Sequence, residues 1–191
     1  MKKNLHLLFF IIIFLFIGCK PSPQKAEDYY LKIEKQLYVV INKEAVLIDF
    51  INIERDKSDS IQKLNNSDSF SSKVEIAFIE LKNKVENSLT AVEKMESFGN
   101  NSKLLDAAIG VLKAYQDVVN NEYASIIKIS KIPLSLYTEE DDSKFLELNE
   151  TVDTKLQKKI DEYIVVVKDF SREYNFEILS DSLAVNIKEN E

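Results

Sequence analysis

Apolar residues recur at steps of three and four along four stretches of this chain, the spacing that lines one face of an α-helix. The first stretch, from about Ala26, carries Tyr30, Ile33, Leu37, Val40, Ile41, Leu47, Ile48 and Ile51. The second, about Ser72 to Ser97, carries Val74, Ala77, Phe78, Leu81, Val85, Ser88, Leu89, Val92 and Met95. The third, about Lys103 to Ser130, carries Leu104, Leu105, Ala108, Val111, Leu112, Tyr115, Val118, Val119, Tyr123 and Ile126. The fourth is the cleanest: Phe145, Leu148, Val152, Leu156, Ile160, Tyr163, Val167, Phe170 and Tyr174. At 1.5 Å per residue it predicts a helix roughly 45–50 Å long. No stretch alternates convincingly with period two, so strands are not expected. The pattern therefore predicts an all-α fold, an elongated antiparallel up-down bundle of four helices. A three-helix bundle with a loosely attached first helix is the alternative.

Caps and breakers divide the pattern. Glu27 and Asp28 fall in the expected first turn of the first helix, where the helix dipole favours acids. The Ser-, Asp- and Asn-rich stretch Asp56 to Ser72 reads as a loop or frayed helix end. Gly99 with Asn100 and Asn101 supplies a stop for the second helix, and Asn101 or Ser102 a cap for the third. Ala107, Ala108 and Gly110 thin the third helix, which predicts a close approach by a neighbour there. Pro133 ends that helix, and the apolar loop Ile132 to Tyr137 is expected to fold back on the bundle end. Thr138 with Asp141 resembles a capping box at the start of the fourth. Residues 180–191 have no firm pattern and read as a mobile tail.

The chain opens with Lys2 and Lys3, an apolar run from Leu5 to Ile17, and Ile17-Gly18-Cys19. This is the layout of a secretory signal. A Cys directly after the small residue identifies a bacterial lipoprotein signal over residues 1–18, with Cys19 as the acylated first residue of the mature chain. This run of thirteen residues, apolar but for His6, is too short for a typical spanning helix. A plain cleaved signal remains the other reading, since Phe16 stands where a lipobox usually has Leu. Residues 19–25 then form the lipidated Cys and a short tether, its prolines favouring extended backbone, and residues 26–179 the bundle. Lys20 is not the Asp that retains many lipoproteins in an inner membrane, which points to an outer-membrane destination with either face open.

Removing Lys2 and Lys3 takes the formal net charge from −7 to −9. An acidic body lacks the basic footprint that nucleic acid requires, and acyl chains rather than surface charge would hold it to anionic lipid. His6 is the one His and Cys19 the one Cys, so the mature body contains neither His nor a second Cys. Ser-His-Asp and Cys-His nucleophilic centres, His/Cys zinc sites and Glu-x-x-His di-iron sites are thereby excluded. Haem ligation by Met95 or a Tyr is open in principle. Asp56 with Asp59, or Asp141 with Asp142, offers carboxylates for calcium without EF-hand spacing, and solvated charge is the simpler reading. No cofactor, metal or catalytic residue is expected.

Two acids fall on apolar stripes. Glu44 falls near the middle of the first stripe, either as an interior charge or, the expected reading, at the stripe's edge reaching water. Glu122, seven residues after Tyr115 and so on the same side, needs a cationic or hydrogen-bonding partner if buried. Tyr115, Tyr123, Tyr163 and Tyr174 lie on inner faces, where they either line a ligand cavity between helices or pack in the core with hydroxyls at the bundle edge. Tyr29, Tyr30 and Tyr38 either mark a partner surface near the anchored end or pack in the core.

Val92-Glu93-Lys94-Met95-Glu96-Ser97-Phe98, Leu105-Asp106-Ala107-Ala108, Tyr115, Asn121-Glu122-Tyr123 and the Thr138-Glu139-Glu140-Asp141 helix start resemble a family of small helical bacterial lipoproteins. Its best-known members are the ErpY-like leptospiral surface lipoproteins, with uncharacterised relatives in other bacteria. The resemblance covers about Lys73 to Asn175 and rests on packing signatures. It implies a helical surface or outer-membrane lipoprotein without established catalysis, and it carries over no binding residues. The function expected is a membrane-anchored, non-catalytic helical domain engaged in protein–protein interaction at the cell envelope. A carrier or sensor for a small apolar ligand between the helices is the alternative.

Overall fold

The computed structural model describes residues 21–59, 67–132 and 136–178, with side chains described over 21–55, 72–132 and 136–178. Helix α1 spans Pro23–Asp59, α2 Ser67–Glu93, α3 Lys103–Val118, α4 Ala124–Ser130 and α5 Glu139–Tyr174. A π-helical turn, Val119–Tyr123, joins α3 to α4, so the two form one rod. The fold is an all-α bundle of four such rods, as the periodicity predicts. At 37 and 36 residues, α1 and α5 are each about 55 Å long.

Cross-helix contacts fix the arrangement. Ser88 bonds Gln36 while Lys43 reaches Glu80, so α1 and α2 run antiparallel. Lys113 pairs with Glu93 and Lys131 with Glu75, making α3–α4 antiparallel to α2. Lys155 meets Asp117 and Asn101 meets Glu173, making α5 antiparallel to α3. Tyr163 meets Glu34 and Arg55 meets Asp142, which closes the ring with α5 antiparallel to α1. Neighbours are antiparallel all round, as an up-down bundle requires, and α1 faces α3 across the diagonal. The predicted stripes form the core: residues such as Ile33, Leu37, Leu81, Leu112, Ile126 and Val167 are fully or almost fully buried. No helix among the described residues is long and apolar enough to cross a membrane.

Several boundaries differ from the expectation, each for a local reason. The tether is shorter, because Ser22 and Pro23 start a helix instead of extending the chain. The Ser22 hydroxyl accepts from the Lys25 N–H at 3.4 Å, and Pro23 takes the first helical position, where its missing N–H costs nothing. Glu27 and Asp28 therefore lie beyond the first turn. The stretch Asp56 to Ser72, expected as a loop or frayed helix end, is helical at both ends, through Asp59 and again from Ser67. Conversely, α2 stops at Glu93, ahead of Ser97. Phe98 leaves the helix to pack its ring on Tyr29, Phe170 and Tyr174, with Gly99 turning the chain at φ 60°.

Ser102 takes the N-cap position of α3 without a capping bond from its side chain, and Asn101 Oδ1 accepts the Lys103 N–H at 3.0 Å instead. The Thr138–Asp141 capping box forms in full. These hydrogen bonds from Thr138 hold the Asp141 carboxyl below its ordinary pKa. Leu136 is exposed rather than folded back on the bundle end, although Tyr137 beside it is half-buried. Pro133 and the tail 180–191 lie outside the described residues. After α5, Asn175 adopts the left-handed conformation that ends the helix, and Phe176 returns to pack against Tyr30 and Phe170.

The close approach expected at Gly110 does not occur: a Cβ added there meets nothing within 4 Å. The glycine costs helix propensity without a packing return. Gly110→Ala is expected to raise the unfolding free energy by about 1 kcal/mol in urea denaturation.

Candidate functional site

Glu44 falls on the buried line of α1: Tyr30, Ile33, Leu37, Val40, Glu44, Leu47 and Ile51 are separated by three, four, three, four, three and four residues, and the buried Glu34 adjoins this line beside Ile33. A carboxylate carried into the bundle this way needs donors. Glu44 has two. The Tyr115 hydroxyl donates to Glu44 Oε2 and the Tyr123 hydroxyl to Oε1, each at 2.6 Å. Glu44 is thus turned inward and clamped across the diagonal: of the two readings the sequence leaves open, the interior charge holds and not the favoured edge position.

The clamp depends on the π turn. Residues eight apart on a regular α-helix are displaced by about 80° at 3.6 residues per turn. The Val119–Tyr123 turn, hydrogen-bonded i to i+5, absorbs one extra residue and cancels most of that rotation. Tyr123 is brought into line with Tyr115, taking the place that the seven-residue spacing assigns to Glu122. Glu122 is buried and receives Lys155 Nζ on Oε1 at 2.9 Å, while the same ammonium meets Asp117 at 2.6 Å. These hydrogen bonds, Asp117 first, hold the Lys155 pKa above its ordinary value.

A second tyrosine–carboxylate pair lies further along the α1–α5 seam. The buried Tyr163 hydroxyl donates to Glu34 Oε2 at 3.0 Å. At the other end of the seam Arg55 binds Asp142 at 2.8 Å and stacks over the Phe145 ring, 3.8 Å from its centroid. Between these two closures α1 and α5 part. A groove of about 570 Å³ opens there, lined by Glu44 and Ile48 of α1, Tyr115 of α3, and Asp153, Thr154, Leu156, Gln157 and Ile160 of α5. Polar residues interrupt the apolar stripes along this seam, so the helices do not close dry.

Burial, and then the neighbouring Asp153 charge, push the Glu44 pKa up, while the two tyrosine hydroxyls pull it back; the net shift is upward. Burial first and the Glu44 charge second raise both Tyr115 and Tyr123 above the ordinary phenol range. Burial and Glu34 do the same for Tyr163. All three tyrosines therefore stay neutral donors.

Of the tyrosines singled out on inner faces, all four are buried, and Tyr115 alone lines the groove. The hydroxyls of Tyr115, Tyr123 and Tyr163 are bonded to carboxylates within the bundle rather than placed at its edge. Near the start of α1 Tyr30 is fully buried and Tyr29 is half-buried among aromatic rings, so of these three only Tyr38 is exposed. Met95 is half-buried against the core. Asp141 is engaged by Thr138 and Asp142 by Arg55, while the side chains of Asp56 and Asp59 lie outside the described ones. No group of three or more His, Cys, Asp or Glu that could hold a metal ion occurs among the described residues. Cys19 and the signal lie outside the described residues. The roles of Asp153, Thr154 and Gln157 escape the sequence reading, because each looks like an ordinary solvated position on α5.

Searches against protein-family models, curated proteins and solved structures find nothing that matches this chain.

Proposed function

We propose that this chain is a lipid-anchored envelope protein, acylated at Cys19, whose helical domain works by non-covalent binding to a protein partner and not by catalysis. The signal layout ending at Gly18-Cys19 carries this reading. The body behind it has no imidazole or second thiol for chemistry. Its one inward carboxylate bordering the groove, Glu44, already has both oxygens occupied by tyrosine hydroxyls. The net acidity disfavours nucleic acid as a partner. The resemblance to ErpY-like surface lipoproteins agrees with an envelope role, and Lys20 with the outer membrane.

Only residues 20–22 separate Cys19 from the start of α1. At about 3.5 Å per extended residue, the anchored bundle stands within roughly 15 Å of its acyl chains. It would bind partners close to the membrane. The groove favours a second reading, a carrier or sensor of a small ligand, but its carboxylates, hydroxyls and amide select a ligand that is not purely apolar.

Cys19→Ala tests the anchor. Labelling of intact cells with a fatty-acid analogue is expected to fall to background in the variant, and unchanged labelling would refute acylation. Cross-linking in the same cells should recover a specific partner with the wild type and lose it when the protein is no longer held at the membrane. Recovery of no cross-linked species from acylated protein would count against the protein-binding role.

A further inference from the structure

The groove at the middle of the α1–α5 seam has a volume of about 570 Å³, within the range of small-molecule sites. Tyr115 and Glu44 border it on the bundle side, Ile48, Leu156 and Ile160 supply apolar surface, and Asp153, Thr154 and Gln157 add polar groups. Both charged lining residues are acidic. Several other acids of the bundle are paired with cations: Lys155 serves Asp117 and Glu122, Arg55 serves Asp142, and Lys43 serves Glu80, while the buried Glu34 is met by the Tyr163 hydroxyl. Glu44 and Asp153 take part in no ion pair with a described residue, and the Asp153 charge adds to the rise in the Glu44 pKa. An uncompensated pair of this kind beside apolar wall is a receptor for a cation with a hydrocarbon stem.

We infer that this groove binds the ammonium end of an aliphatic amine. The ammonium sits between Glu44 and Asp153, and its methylenes lie along Ile48, Leu156 and Ile160. A carboxylate offers about four acceptor positions, and the two tyrosines use one on each oxygen of Glu44, leaving room for an N–H donor. The tyrosines also fix the acceptor's orientation, so little ordering accompanies binding. Guanidinium is a poorer fit, because its fork seeks both oxygens of one carboxylate at once and the tyrosines already flank them. Anions are repelled by two charges, and neutral alcohols gain no charge-assisted bond. The ammonium has two sources, a free aliphatic diamine or a lysine side chain of a partner. The inference goes beyond the anchored protein-binding reading and stands whether or not Cys19 is acylated.

Titration calorimetry of the full chain in detergent micelles tests it, with n-butylammonium, 1,4-diaminobutane and Nα-acetyl-lysine-methylamide as probes. n-Butanol and butyrate serve as controls. Saturable binding of the amines, with dissociation constants of about 1 mM or below, is expected. Glu44→Gln should weaken it on the order of tenfold. Asp153→Asn, at an exposed position that leaves the core untouched, should weaken it several-fold. Tighter binding of the diamine assigns a free amine, and preference for the lysine mimic assigns a partner's side chain. No saturable amine binding at roughly 10 mM, equal binding of n-butanol, or undiminished affinity in folded Asp153→Asn would overturn the inference.

Discussion

Replacing Tyr115 and Tyr123 together by Phe is expected to lower the unfolding free energy by about 3–5 kcal/mol at pH 7. Each hydroxyl donates a 2.6 Å bond to the same carboxylate. A hydrogen bond to a charged group contributes about 1.5–3 kcal/mol, and the two share an acceptor, so their effects need not add. Packing is nearly conserved, since Phe keeps the ring. In a domain of this size the loss corresponds to a melting temperature lower by roughly 10 °C. The pH dependence identifies the cause. The Glu44 pKa lies above its ordinary value near 4.5 in the folded chain, and the tyrosine donors limit that rise. A carboxyl with a raised folded pKa penalises the fold once it ionises: the penalty is absent below the unfolded pKa and grows as pH rises through the folded one. Without the donors the folded pKa rises further and the penalty deepens. Urea unfolding should therefore show the largest gap between wild type and variant at pH 7, shrinking toward pH 4. An equal gap at both pH values would mean that the tyrosines do not hold an ionised Glu44.

How the sequence foretells this bundle, and where it stops, follows from what periodicity measures. Tyr30, Leu37, Leu81, Leu112 and Val167 are all buried where their spacing puts them, because a helix must hide one face and nothing local opposes it. The capping box at Thr138 is local too, and forms. The end of α2 is not local: Glu93 is the last helical residue because Phe98 finds three rings on α1 and α5, which are remote in sequence. The Ser22-Pro23 start was visible in the residues but competes with the extended backbone that prolines also favour.

The site shows the same division. The inner faces of Tyr115, Tyr123 and Tyr163 are legible from spacing, but the destinations of their hydroxyls are not. A π turn has no compositional signature in Val119–Tyr123, yet it supplies the rotation that puts both hydroxyls on Glu44. Glu44 does carry a signal: it continues the three-and-four spacing of the buried line of α1, which Glu34 adjoins beside Ile33. Such an acid faces inward when tyrosines on other helices meet it, and that meeting belongs to the tertiary fold. The groove is a further step removed, since it needs the register of α1 against α5.

Phe170→Ala is expected to cost about 3–5 kcal/mol, the range for removing a buried aromatic side chain. Phe170 is the hub of the aromatic cluster at the end of the bundle nearest Cys19 in sequence. Its ring centroid lies 6.3 Å from Tyr29, 5.6 Å from Phe98, 4.7 Å from Tyr174 and 5.9 Å from Phe176. Those rings come from the start of α1, the α2–α3 connection, the end of α5 and the segment after it, so one truncation loosens four chain segments. Phe170→Leu keeps most of the volume and should recover much of the loss while forfeiting the ring-to-ring geometry. Phe170 lies ten positions beyond Ile160, which places the cluster about 15 Å along α5 from the nearest groove residue. At that distance the Phe170→Ala and Tyr115→Phe/Tyr123→Phe losses should add to within about 0.5 kcal/mol when the variants are combined. Thermal and urea unfolding of the single, double and combined variants measure this directly. A combined loss well short of the sum would show that the cluster and the clamp are one cooperative unit, coupling the end of the bundle at the start of α1 to the state of Glu44.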